Sequence, residues 1–198
     1  VAFSYGGSGS LTSSPAAVID CIPENRLLCS KAGTGAEHSR RALPQPAEGF
    51  SMSQLWQLYQ SLGNERYADA IAKIAPYFGT IAPRFRELRP RYCALEIPNT
   101  QAVHNHLGSM HAIAMCNGAE LAAGLTTDVS IPNDRRWIPV EMNVRYLAQA
   151  RSDVLVVCAG DGIDWAILGN IPVNVSITNT EGVEVLHAII TMRISPKK

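Results

Sequence analysis

The chain has 198 residues, a formal net charge of zero, and hydrophobic residues at 46%. That length suits one domain, with or without a tail, and the apolar fraction is enough for a core. Balanced charge leaves no basic footprint for phosphate backbones, so nucleic acid is not an expected partner. No apolar run approaches the roughly 20 residues that span a bilayer.

The first fifty residues differ from the rest. "VAFSYGGSGSLTSSPAAVID" is rich in Gly, Ser and Ala, and "KAGTGAEHSRRALPQPAEGF" is polar and broken by glycine and proline. Neither holds a period of 2 or 3.6, so residues 1–51 read as a disordered tail or a mis-called N-terminal extension, with the domain at residues 52–198. The sequence opens on Val1, and its first methionine is Met52. A basic start followed by an apolar stretch is missing from the opening residues, so the expected location is the cytoplasm. The five cysteines, Cys21, Cys29, Cys93, Cys116 and Cys158, form no CxxC pair. They read as reduced thiols, the last three as core fillers.

From Met52 the pattern becomes regular. "SMSQLWQLYQSLG" places Leu55, Leu58, Tyr59 and Leu62 on one helical face, with a Ser start and a Gly stop. A second helix, "NERYADAIAKIAPYFG", aligns Tyr67, Ile71, Ile74 and Phe78 until Pro76 distorts or ends it. "TIAPRFREL" and "RYCALEIP" predict a hairpin. Met110–Leu125 is almost wholly apolar or small, which predicts a buried helix with Ser109 as its N-cap. Gly118 in its interior implies close approach by another backbone, from the sheet or from a second copy of the helix. Four strands follow. "WIPVEMNVRYLAQA" sets Val140, Met142, Val144 and Tyr146 against Glu141, Asn143 and Arg145. "DVLVVCAG", "IPVNVSIT" and "VEVLHAIITMRI" come next, the last two joined by the turn "NTEG". Strands in sequence with short links make an antiparallel sheet, and the one long apolar helix must be buried against it. The expected class is α+β, a curved antiparallel sheet around one central helix with N-terminal helices.

The chemistry concentrates in "HNHLGSMHAIAMCNGAELAAGL", His104–Leu125. His104, His106, His111 and Glu120 include metal-ligand types, but nine residues of helix turn Glu120 about 180° from His111, so no metal is expected. A carboxylate on a buried helix needs a partner or a task. Glu120 either reaches an edge, near solvent or Arg145, or it acts. The N-terminal turn of the helix presents free N–H groups that can polarise a carbonyl, with the Ala112 N–H and the Asn105 side chain as donors. Ala112 and Glu120 lie about 12 Å apart along one helix. Two antiparallel helices from two chains would bring both to one carbonyl, so a catalytic device here implies a homodimer.

These residues resemble a known superfamily. The layout looks like the hotdog fold, and the motif resembles the thioesterases of the phenylacetate-degradation type. Those carry an Asn, a His six residues on, a small residue next, and an acid nine residues after the His. Asn105, His111, Ala112 and Glu120 match at each step. Two positions depart: Ala112 stands where Gly is usual, and Glu120 where Asp is commoner. "WIPVEMNVRYLAQARSD" and "IPVNVSITNTEGVEVLHAIITMRISPKK" resemble a hotdog branch of mostly unassigned function. The resemblance runs from about Phe78 to Lys198. It implies an acyl-CoA hydrolase with Glu120 as general base or nucleophile. Asn105 and the Ala112 N–H would form the oxyanion site, and His111 would orient the loop or the Asn. Gly108, Ser109, Arg135 and Arg136 are the expected substrate contacts, the arginines toward CoA phosphates. Coenzyme A would enter only as part of the substrate, with no further cofactor, and dimers could pair into tetramers. The alternative is a dimer that binds an acyl group or acyl-CoA without cleaving it. A hydratase is disfavoured, because the Asp and His pair of such enzymes is missing.

Overall fold

A computed structural model describes residues 53–197. The readings made for residues 1–51, with the thiols of Cys21 and Cys29, lie outside the described residues. The first helix, α1 (Gln54–Ile74), is capped by Ser53, whose Oγ accepts from the Trp56 N–H at 3.1 Å. The two expected helices are one element kinked at Gly63, where φ is 68° and ψ 178°. That backbone pair is essentially confined to glycine. Pro76 then opens the short α2 (Pro76–Gly79). Trp56, Tyr67 and Ile71 are the buried residues of α1, whereas Ile74 is exposed. An aromatic chain docks the helix: Tyr59 stacks on Trp56 and meets Tyr67 edge-on, and Tyr67 meets Phe85 edge-on at 4.9 Å. The Tyr59 hydroxyl also accepts from the Leu88 N–H.

The hairpin forms as β1 (Arg84–Arg89) and β2 (Tyr92–Ile97). After the central helix α3 (Ala112–Asp128) come β3 (Arg135–Tyr146), β4 (Val154–Ala159), β5 (Gly169–Asn179) and β6 (Glu184–Pro196). Asn179–Gly182 closes the β5–β6 hairpin, with Gly182 at φ 79°. All pairings are antiparallel, in the order β1-β2-β4-β5-β6-β3. Helix α3 touches each of these strands. Flat, six strands would be about 24 Å wide, twice the width of a helix, so the sheet must curl to reach it.

Side-chain size sets how close the two come. Ala119, Ala122 and Ala123 are fully buried. At Gly118 an added Cβ would fall 2.5 Å from the Cδ1 of Ile97 on β2 and 3.4 Å from Val156 on β4. The expected close approach therefore comes from sheet side chains, not from another backbone. Thr126 and Thr127 return their hydroxyls to the carbonyls of Ala122 and Ala123, which lets these buried polar groups sit inside the core.

The alternation expected along β3 breaks midway. A bulge between Pro139 and Glu141 shifts the register against β6, so Trp137 and Pro139, then Met142 and Val144, turn inward. Val140 and Tyr146 are left exposed. Cys93 and Cys158 are buried core residues and face each other across β2 and β4. Cys116 is only half-buried, so it is not a core filler.

Two outcomes follow from this packing. Gly63→Ala is expected to cost about 1–3 kcal/mol, read as a lower denaturant midpoint, because the kink needs a backbone state alanine avoids. An unchanged midpoint would show that the kink carries no such constraint. Burial also raises both thiols, Cys158 up to about 11 and Cys93 well above its usual value. The thiolate is the reactive form. Brief alkylation of native protein at pH 8 should therefore spare Cys93 and Cys158, and modify them only on unfolding, as read by peptide mapping.

Candidate active site

The segment before α3 is a tight turn held by Asn105. His104 and Met110 form an isolated antiparallel bridge. Between them the Asn105 N–H donates to the Ser109 carbonyl at 2.8 Å, and Gly108 takes φ 71° at the bend. The Asn105 Oδ1 accepts from the Leu107 N–H at 2.9 Å and the Ser109 N–H at 3.3 Å, an Asx-turn. Its Nδ2 donates to the Ser109 Oγ at 3.0 Å, which uses one of its two hydrogens. Ser109 is buried and spent on Asn105, so it is not the N-cap.

His111 caps the helix instead. Its Nδ1 accepts from the Ile113 N–H at 3.0 Å. An accepting Nδ1 keeps its lone pair, so the ring proton resides on Nε2. The His111 carbonyl takes the N–H groups of Ala114 and Met115. The N–H of Ala112, first in the helix, has no acceptor among the described residues. The turn thus leaves three donors unspent: the Ala112 N–H, one Asn105 amide hydrogen and the His111 Nε2–H.

Glu120 lies on the least buried stripe of α3, with Ile113 and with Cys116, whose Sγ is 3.4 Å from the Tyr146 hydroxyl on β3. It is half-buried and makes no hydrogen bond or ion pair with any described residue. Arg145, its alternative partner, is the register partner of His187 on β6. There the His187 ring and the Ser176 hydroxyl, with a smaller contribution from Arg145, hold the Glu184 carboxyl below its usual range. This accounts for His187 as a structural residue. Within one chain Glu120 and the turn are not brought together. Glu120 lines a pocket with Leu55, Ile71 and Trp137, and His111 lines another with His104, Tyr77 and Asn117. The helical rise between Ala112 and Glu120 is about 12 Å.

Arg135 and Arg136 are farther away. They lie near the C-terminal end of α3, where they line a hollow of about 170 Å³ with Asp128 and Lys197. Arg135 is 3.3 Å from Asp134, and the Arg136 Nε donates to Ser195. Seventeen helical residues, about 25 Å, separate that end from the Asn105 turn of the same chain. Among the described residues no group of three or more His, Cys, Asp or Glu converges on one point. His104 is engaged with Asn99, its Nε2 3.0 Å from Oδ1.

Two residues went unread in the sequence. Asn117 is 6% exposed and donates to the Tyr77 carbonyl and the Thr80 hydroxyl, while its Oδ1 is buried without a partner. The signal was a carboxamide on an apolar helix. Trp137 donates from Nε1 to Asp128 at 3.1 Å and lays its ring against Gly124. Its signal was Gly124 itself, a helical glycine that leaves room for a large neighbour.

No curated protein matches the chain. Among solved structures, one described only as genomics APC5556 is 48% identical, covers 74% of this chain and 99% of its own, and superposes with a TM-score of 0.68. A protein of unknown function from Pseudomonas aeruginosa, PA5026, described as a probable thioesterase, is 21% identical over 70% of this chain and 96% of its own, at 0.59. The thioesterase HI1161 from Haemophilus influenzae is 12% identical over 74% and 93%, at 0.57. The last two show the fold, which is the hotdog fold expected from the motif. A family model described as a domain of unknown function, DUF4442, matches residues 63–194, and the chain belongs to that family.

Proposed function

We propose that the protein hydrolyses an acyl thioester, with an acyl-CoA as substrate, at sites shared across a homodimer. The observation that carries this reading is Glu120, a partly buried carboxylate without a partner among the described residues, on the wall of an apolar pocket. Such a group costs stability unless it has a use. The fold of proteins named thioesterases supports the reaction class.

Glu120 takes a proton from water, and the water oxygen attacks the thioester carbon. Negative charge gathers on the carbonyl oxygen, where the Ala112 N–H and the Asn105 Nδ2 of the other chain receive it. The C–S bond then breaks, and the proton held by Glu120 passes to the departing sulfur, giving a carboxylic acid and free CoA and restoring the carboxylate. His111 acts by capping, since its bond to Ile113 fixes the first turn and so the direction of the Ala112 N–H. Arg135, Arg136 and Lys197 supply positive charge for the CoA phosphates.

The second chain follows from reach and from surface. One helix cannot present both groups to one carbonyl. Among the described residues strand β3 ends the sheet with an unpaired edge, and Ile138, Val140, Tyr146 and Leu147 on and just after it are exposed. Such an edge is open to pairing with another strand.

Thiol release from a panel of acyl-CoAs tests the reading. Glu120→Gln should slow turnover by about 10²–10⁴-fold with the fold retained by circular dichroism. Full activity in that variant would refute the role of Glu120. Asn105→Ala should lose about 10²-fold in kcat, as for one oxyanion donor, along with some order in the turn it holds. Wild-type protein that retains an intact acyl-CoA without releasing thiol would be a binding protein instead.

A further inference from the structure

The pocket beside Glu120 has a volume of about 200 Å³. It lies between α3 and the N-terminal helices. Leu55, Ile71, Ala75 and Phe78 close one side, and Leu121 and Gly124 form the other. Among the described residues Glu120 is its only ionisable side chain. One wall is Trp137, and two contacts fix it. The indole Nε1 donates to Asp128, and the ring edge rests on Gly124, where a Cβ would come within 2.8 Å of Cη2. Any larger residue at position 124 would push the ring aside. The glycine therefore sets the position of the wall.

Size and lining select an occupant. An apolar cavity of roughly 150 Å³ takes a benzene ring of six carbons, so about 200 Å³ takes roughly eight. A neutral polar guest would leave water without gaining hydrogen bonds from these walls, and an anionic one would also face the Glu120 carboxyl. An acyl chain gains roughly fourfold in affinity for each methylene it buries. We propose that this pocket seats the acyl chain of the substrate and that Trp137 limits it to about six to eight carbons. The proposal rests on the thioesterase reading, since it is Glu120 that ties the pocket to the reacting carbon.

The test uses the full chain and straight acyl-CoAs from two to sixteen carbons. Wild-type kcat/KM is expected to peak at six to eight carbons. Trp137→Ala should move the peak to longer chains. Ala75→Phe, on the partly exposed rim, should move it to four or fewer. Calorimetry with free CoA, butyryl-CoA and octanoyl-CoA gives a readout independent of turnover. Octanoyl-CoA should bind wild type at least tenfold more tightly than free CoA, and Ala75→Phe should erase that difference. If no acyl-CoA is hydrolysed but this binding pattern holds, the hydrolase reading fails and the pocket assignment stands. If hydrolysis occurs with a flat length profile that neither variant shifts, the pocket assignment fails alone. A change from dimer to monomer in Ala75→Phe, seen by light scattering without any change in length preference, would assign the pocket to a second copy and overturn the proposal.

Discussion

The closeness of α3 to the strands around it governs the rest of the molecule. At Gly118 the helix leaves no room even for a methyl group against Ile97, and Ala119, Ala122 and Ala123 continue the same narrow face. A sheet that reaches a helix this closely from every strand must curl. The curl leaves one stripe of the helix less buried than the rest, and Ile113, Cys116 and Glu120 lie along it. Chemistry on α3 is thereby confined to a line of positions about one residue wide. A carboxylate on that line needs no burial in the sheet, yet it is close enough to apolar walls to be partly shielded from water.

The same confinement explains the division of labour along the helix. The first turn presents the Ala112 N–H, which has no acceptor among the described residues, and the middle presents a carboxylate. The rise of the helix keeps them apart. Of the three histidines in the turn region, His111 alone belongs to the helix, where it serves as the cap. His104 is held by Asn99, and His106 is exposed. Metal-like composition here comes from a loop whose residues point to different ends.

Much of this is legible in the sequence. Apolar alternation located β5 and β6, the apolar run located α3, and the spacing of Asn105, His111, Ala112 and Glu120 located the motif. Errors arose where a tertiary contact overrode a local preference. Ser109 is a good capping residue by type, but Asn105 recruits its hydroxyl, and the helix starts at Ala112. In β3 the bulge after Pro139 leaves Met142 and Val144 inward as the alternation has them but turns Val140 out and Trp137 and Pro139 in, and a pattern of period two cannot reveal a bulge. For Asn117 and Trp137 the sequence holds only an indirect signal, a carboxamide on an apolar helix and a helical glycine, because their partners Tyr77, Asp128 and Gly124 come from other elements.

The kink at Gly63 has a consequence for how the protein can change. Beyond the kink, α1 turns Ile71 toward the pocket, and α2 adds Phe78. None of these residues contributes to the Asn105 turn or to the cap on α3. Substitutions at well-separated sites combine almost additively. Changes at Ile71 or Phe78 therefore add almost independently to changes in the Asn105 turn, whereas changes at Glu120, which shares their pocket, couple to them.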